Sequence, residues 1–149
     1  MKAKPISVWM AFVLALMLGA GSLWAFVHEG KDAAIGAALP KLDLPKNPYV
    51  LREAWWHGEL KSGETKLIKH QLFQRNDYWF WMGSSNPDAK VSIHIYDDQG
   101  NLVDKESFEK DQAAGARVVP KTSGTYYVRI KVLSGPVGPS EWAVIYAFR

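Results

Sequence analysis

The sequence predicts an all-β fold, either an antiparallel β-sandwich or a barrel, over residues 51–149. Strand-like runs recur about every ten residues from Trp55 onward, and clusters of Gly, Asn, Asp, Ser and Pro separate them. Several runs alternate between apolar and polar residues, which is typical of a strand with one buried face. A length of 149 residues and a hydrophobic content of 48% are sufficient for one sizeable core.

The stretch 77–96 is the densest in aromatic and β-branched residues, and it predicts two strands joined by a polar turn. Its second half places Val91, Ile93 and Ile95 on one face, the pattern of a half-buried strand. Its first half, 78–82, is apolar on both faces. We therefore expect residues 78–82 to form a central strand that is covered on both sides.

Eight strands are predicted in order along the chain. They span residues 55–60, 66–73, 78–82, 91–96, 102–108, 116–119, 125–132 and 142–148. Gly100 suits the left-handed position of a turn, which predicts a hairpin over residues 91–103. The strand 125–132 has one apolar face, while Tyr127 and Arg129 lie on its other face. We expect the first face in the core and the second in water.

Residues 1–25 predict an export signal. Lys2 and Lys4 form a positively charged start, an apolar run follows, and cleavage is expected after Ala25. The alternative is a retained membrane anchor, because the uncharged run 6–27 has 22 residues and is long enough to span a bilayer. In either case the domain is exported. The predicted location is periplasmic or secreted, or anchored to the inner membrane if the signal is not cleaved.

Residues 26–50 predict an extended arm or linker. The segment contains three prolines, Pro40, Pro45 and Pro48. Proline fixes φ and disfavours helix in the residue before it, so an extended conformation is expected. Several leucines make the segment apolar enough to lie on the domain. Residues 49–56 fit either a short helix or the first strand.

The charge and cysteine content exclude several kinds of function. Without the two lysines of the predicted signal, 16 basic residues remain against 15 acidic ones, and no run of Lys or Arg is present. The basic surface that nucleic-acid binding requires is therefore not predicted. The absence of cysteine removes disulfides, thiolate metal sites, cysteine nucleophiles and lipid attachment to cysteine.

Four segments carry strand and turn signatures in a fixed order. They read GELKSGE at 58–64, YWFWMGSS at 78–85, DAKVSIHIYDDQGNLV at 88–103 and VVPKTSGTYYVRI at 118–130. In this order they resemble the bacterial pre-peptidase C-terminal domain over about residues 55–149. The resemblance implies an exported, jelly-roll-like β-sandwich, which stands alone after its signal or is appended to a secreted hydrolase. Because these motifs are turn and strand signatures, they indicate fold more than activity.

A calcium site, which some members of that family carry, would use Asp88, Asp97 and Asp98 here. Ca²⁺ takes about six to eight oxygen ligands, and the two adjacent aspartates lie in a turn with Gly100. The alternative is that they only shape the turn, and no Glu stands at the EF-hand distance. The sequence therefore predicts no cofactor, with Ca²⁺ at the three aspartates as the open alternative.

Histidines are the candidates for catalysis or zinc binding. His57, His70 and His94 fall on three predicted strands, but no H-x-H or H-E-x-x-H spacing joins them. Ser84 and Ser85 stand in GSSNP, which is not a G-x-S-x-G nucleophile motif. We therefore predict that the protein is not an enzyme. The alternative is a small periplasmic hydrolase or metal-dependent enzyme that uses one of these histidines.

The tryptophans are the candidates for ligand binding. Trp55, Trp56, Trp79 and Trp81 offer aromatic surface on which sugar rings or an apolar partner would stack. The alternative is that the arm or the other sheet buries them, and we expect burial for most of them because large exposed apolar patches are rare.

These observations predict an exported, non-catalytic binding or accessory module of the bacterial envelope. Its expected partner is a carbohydrate or an envelope protein, contacted through an aromatic sheet face or the loops at one end of the sandwich. No nucleic-acid partner is expected, and a membrane is contacted only through an uncleaved N-terminal segment. A further alternative is a membrane-anchored structural component of the envelope.

Overall fold

The computed structural model describes residues 28–149, so the predicted signal over residues 1–25 lies outside the described part. The described residues form one helix, α1 (residues 28–42), and nine strands. The strands are β1 (Val50–Leu51), β2 (Trp56–Leu60), β3 (Thr65–Leu72), β4 (Tyr78–Ser84), β5 (Lys90–Tyr96), β6 (Glu106–Lys110), β7 (Ala113–Val118), β8 (Gly124–Ser134) and β9 (Ser140–Phe148).

The strands form two antiparallel sheets that pack face to face, so the predicted β-sandwich is confirmed. The large sheet has six strands in the order β1-β9-β4-β7-β6, and β2 also pairs with β9. The small sheet has three strands in the order β3-β8-β5. Residues 97–101 form the predicted turn with Gly100 at φ 84°. Only a single bridge, Tyr96 to Leu102, continues the predicted hairpin, and the next strand, β6, joins the large sheet.

The core between the sheets is built by alternation. On β4, Tyr78, Phe80 and Met82 point toward the small sheet, and on β8 Val128 and Ile130 meet them. All five side chains are buried. Burial of one such side chain stabilises the fold by about 1.5–3 kcal/mol, so this layer contributes strongly to stability.

A second core lies on the other face of the large sheet, where α1 covers β4 and β9. Trp79 and Trp81 of β4 are buried there together with Ala34 and Ala38 of the helix. All seven residues of β4 are buried, which confirms that it is a central strand covered on both sides. The molecule therefore has three layers, namely the helix, the large sheet and the small sheet.

Small residues allow α1 to lie close to the large sheet. Gly30, Ala34 and Ala38 are buried at a spacing of four residues, which places them on one stripe of the helix. Gly83 of β4 lies under this stripe, where an added Cβ would overlap the carbonyl oxygen of Gly30. The contact therefore depends on the absence of a side chain at position 83.

The prediction of an extended arm over residues 26–50 is wrong for residues 28–42, which are helical. Four alanines favour a helix, and the buried stripe stabilises it against the sheet. Pro40 falls in the last turn, while Pro45 and Pro48 follow the end of the helix. The segment lies on the domain as expected, because Leu42 and Leu44 pack against the second core.

A hydrogen-bonded cluster around Asp77 ties the start of β4 to β7 and to Arg149. Arg117 donates to both carboxylate oxygens of Asp77 at 2.8 and 3.0 Å, and the Tyr49 hydroxyl donates at 2.7 Å. Arg149 donates at 3.2 Å. Burial alone would raise the pKa of Asp77, but the hydrogen bonds from Arg117 and Tyr49 outweigh it and hold this pKa below its ordinary value.

Substitution of Gly83 should separate α1 from the sheet. We expect Gly83→Val to lower the free energy of unfolding by about 2 kcal/mol or more, because the new side chain meets backbone atoms that cannot rotate away. The matched control is Gly36→Ala in the same helix, where an added Cβ meets no atom within 4 Å. This control should raise stability by about 1 kcal/mol. Urea unfolding followed by tryptophan fluorescence measures both, and equal stability of the two variants would contradict the packing.

Removal of the Asp77 charge should weaken the fold mainly above pH 4. The folded pKa is lowered, so the stabilisation is complete above the unfolded value of 3.8 and is lost as pH falls through the folded value. We expect Asp77→Asn to cost about 2 kcal/mol at pH 7 and to show a flatter decline in acid than the unmodified protein. Exposed Glu53, changed to Gln, serves as the control. Denaturant midpoints measured between pH 2 and pH 7 test this prediction. Parallel pH curves for Asp77→Asn and the unmodified protein would refute it.

Candidate functional site

The outer face of the small sheet is the candidate site, because no helix or sheet within residues 28–149 covers it. We call this surface the open face, and it consists of the outward side chains Leu67 and Lys69 of β3, Tyr127, Arg129 and Lys131 of β8, and His94 and Tyr96 of β5. It exists because β8 alternates, with Tyr126, Val128, Ile130 and Val132 pointing into the core. The predicted wet face of this strand is therefore confirmed.

A shallow groove of about 390 Å³ crosses the open face. Tyr96 and Tyr127 stand directly opposite each other on β5 and β8, and both are half-buried. The Arg129 guanidinium lies 5.0 Å from the ring centroid of Tyr96, within the range of a cation–π contact. Leu67 borders the groove with 57% of its surface exposed. Two aromatic rings, one guanidinium and one aliphatic side chain thus meet in one depression.

A polar cleft of about 490 Å³ lies beside the groove at the end of the sandwich. The loops of residues 97–105 and 118–126 form its walls, and Asp97 and Asp98 line both the cleft and the groove. The turn that contains them separates the two depressions. Candidate contact surface therefore continues from the sheet face onto the end loops.

The three aspartates of the predicted calcium site are not brought together. Asp88 precedes β5 and Asp97 and Asp98 follow it, so this strand of seven residues separates them by roughly 20 Å. Asp97 accepts hydrogen bonds from the backbone of Asn101 and Gln99 and from the Asn101 side chain, and these bonds lower its pKa. Asp97 therefore shapes the turn. No group of three His, Cys, Asp or Glu side chains suited to a metal occurs in residues 28–149.

The three candidate histidines point to three different places. His57 lies on the outer face of the large sheet, with its ring 5.0 Å from that of Trp55. His70 points between the sheets. His94 lies on the open face, where its Nδ1 is 3.2 Å from Asp104, whose other oxygen accepts the Ile95 amide. The structure therefore forms one histidine–carboxylate pair at these positions but no histidine cluster.

The four tryptophans do not form one exposed platform. Trp79 and Trp81 stack at 5.7 Å with an interplanar angle of 9°, but only 3% and 0% of their surfaces are exposed because α1 covers them. Trp55 is half-buried beside the same core, with Lys31 4.4 Å above its ring. Trp56 is half-buried against the core between the sheets. Of the four candidate tryptophans, two are therefore buried and two are half-buried.

The aromatic residues of the groove were missed as ligand candidates in the sequence. The alternation of the sequence places Tyr127 and Arg129 on the wet face of their strand, and Tyr96 alternates with a core residue in the same way. A large aromatic side chain on an otherwise polar strand face is the sequence feature that could have indicated a ligand site. No feature of the sequence predicts that Tyr96 pairs with Tyr127, because this pairing depends on the register between β5 and β8.

Comparison with known proteins does not assign the chain to a family. Neither a protein-family model nor a curated protein sequence matches the chain. The resemblance to the pre-peptidase C-terminal domain therefore stays a prediction. Within residues 28–149, no helix combines the length and the apolar character needed to cross a bilayer.

His70 lies among aromatic side chains at the mouth between the two sheets. Its ring is 4.9 Å from that of Tyr146, 5.1 Å from that of Trp56 and 6.2 Å from that of Phe80. Burial lowers the pKa of His70 below its ordinary value of 6.5, because the charged imidazolium loses hydration there. The neutral ring is therefore part of the packing.

This burial predicts a pH dependence of stability. Below pH 6.5 the unfolded chain binds a proton at this position before the folded protein does, so the free energy of unfolding falls as pH decreases until the folded pKa is passed. We expect His70→Phe to flatten the stability curve between pH 7.5 and pH 5. Gln71→Ala, an exposed change on the same strand, should keep the slope. Urea midpoints across this range measure the difference, and an unchanged slope in His70→Phe would contradict the assignment.

Proposed function

We propose that the protein is an exported, non-catalytic binding module of the bacterial envelope, and that it holds a carbohydrate against the open face. The observation that carries this proposal is the groove in which Tyr96, Tyr127, Arg129 and Leu67 meet. On the outer face of the large sheet, α1 covers β4 and β9, whereas no helix within residues 28–149 covers the open face.

The side chains of the groove suit a sugar. Aromatic rings offer flat apolar surface to the C–H face of a pyranose and lose little conformational entropy on binding. Arg129 and Asp98 supply a donor and an acceptor for hydroxyl groups at the same place. A volume of about 390 Å³ lies at the small end of ligand sites and fits a short stretch of a sugar chain.

A non-catalytic role is supported by how the ionisable groups are distributed. His57 lies on the outer face of the large sheet, His70 between the sheets and His94 on the open face, so they do not combine into one active site. The alternative, a small hydrolase, is favoured by a single observation, the contact of His94 with Asp104. Export is supported by the charged and apolar pattern of residues 1–25.

Carbohydrate binding is tested by removing one ring of the groove. Affinity electrophoresis against a panel of soluble linear polysaccharides should show retardation of the unmodified protein, and Tyr127→Ala should weaken it about tenfold, the effect of losing one stacking contact. Phe73→Ala is the matched control, because Phe73 is 55% exposed but lies outside the groove. Circular dichroism verifies that both variants are folded.

Two results would contradict the proposal. One is the absence of retardation by every polysaccharide of the panel, and the other is equal retardation of Tyr127→Ala and the unmodified protein. Release of reducing ends from a polysaccharide, abolished in His94→Ala, would instead favour the hydrolase.

A further inference from the structure

The charged side chains that point outward on the open face are mostly basic. Lys69, Arg129 and Lys131 all point outward from the small sheet, and no salt bridge within residues 28–149 involves any of them. The described domain as a whole has nearly equal numbers of basic and acidic residues. The positive charge is therefore a property of this surface and not of the whole molecule.

The carboxylates near the open face are mostly engaged. Asp104 has only 6% of its side chain exposed and contacts His94 and the Ile95 amide. Asp97 accepts three hydrogen bonds within its own turn. On the opposite side of the molecule, by contrast, Glu59 and Glu141 stand directly across from each other on β2 and β9. Asp98, which also lines the groove, remains beside these cations, so the basic side chains of the open face outnumber the acidic group that is not already engaged there.

The cations follow the same line as the aromatic groove. Tyr127, Arg129 and Lys131 succeed one another on the outward side of β8, at steps of roughly 7 Å. Lys69 stands across from Tyr127 on β3. An extended ligand that stacks on the tyrosines therefore runs past a guanidinium and an ammonium group along the central strand.

From this arrangement we infer that the ligand of the open face is an acidic glycan, a chain of sugar rings that carry carboxylates. The inference rests on the proposed carbohydrate-binding function and specifies its substrate class. Carboxylates accept bidentate hydrogen bonds from arginine and pair with lysine, whereas a neutral glycan leaves Lys131 without a partner. A membrane surface fits less well, because Leu67 is the only large aliphatic side chain of the groove and offers little area for insertion.

The test compares two soluble polymers with the same backbone, carboxymethyl cellulose and neutral hydroxyethyl cellulose. The folded protein should bind the acidic polymer at least tenfold more tightly at low salt, and this preference should shrink between 20 and 200 mM NaCl as charges are screened. Lys131→Gln should reduce the ratio of the two affinities about fivefold. The matched control is Lys110→Gln on β6 of the large sheet, which should keep the ratio.

The outcomes separate this inference from the proposed function. Binding of both polymers with a ratio near one overturns the acidic glycan and leaves carbohydrate binding intact. Failure to bind either polymer overturns the inference, and the panel of polysaccharides then decides whether the protein binds carbohydrate at all. An equal loss of preference in Lys131→Gln and Lys110→Gln overturns the inference, since the attraction is then not local. Binding to vesicles of anionic phospholipid that survives Tyr127→Ala also overturns it in favour of a membrane surface.

Discussion

The structure depends on the burial of β4 on both of its faces. Phe80 lies in the core between the sheets, while Trp81 lies under α1, so neither the small sheet nor the helix can be absent without exposing large aromatic side chains. The arrangement carries a cost, because the indole N–H groups of Trp79 and Trp81 have no hydrogen-bond partner within the described residues. Each such group costs about 1–3 kcal/mol. The apolar area of the rings, and their mutual stacking, offset it.

Because β4 must be buried on both faces, the outer face of the large sheet packs against α1 and the outer face of the small sheet does not. Under α1, the outer face of the large sheet carries the apolar rings of Trp79 and Trp81 beside small residues such as Gly83, which allow close contact with the helix. The outer face of the small sheet carries Arg129 and Lys131, whose charges would lose hydration if a helix packed on them in the same way. The described part of the chain has one helix, and the need to bury β4 determines that this helix packs on the large sheet.

Local patterns were sufficient to predict the sandwich but not the helix or the site. The alternation of residues 91–96 and the conformation of Gly100 are encoded within a few positions, and both were predicted correctly. The helix was missed because Pro40 argues against it locally, whereas the contact of Gly30 with Gly83 that stabilises it joins distant parts of the chain. The three aspartates lie apart and two of the four candidate tryptophans are buried for a related reason. Whether a side chain is exposed, and whether two side chains meet, depends on the strand register and on which element covers that face of the sheet.

Whether a basic side chain of the small sheet is evidence for a ligand depends on whether it lies on an edge strand or on the central strand. Lys69 and Lys90 lie on the edge strands β3 and β5, where charged side chains also prevent sheets from pairing edge to edge. Arg129 and Lys131 lie on the central strand β8, which has neighbours on both sides and needs no such protection. Their inward neighbours Val128 and Ile130 already supply the packing of this strand. The charge of Lys131 is therefore not needed for edge protection, and this is why a substitution of Lys131 tests for an acidic ligand.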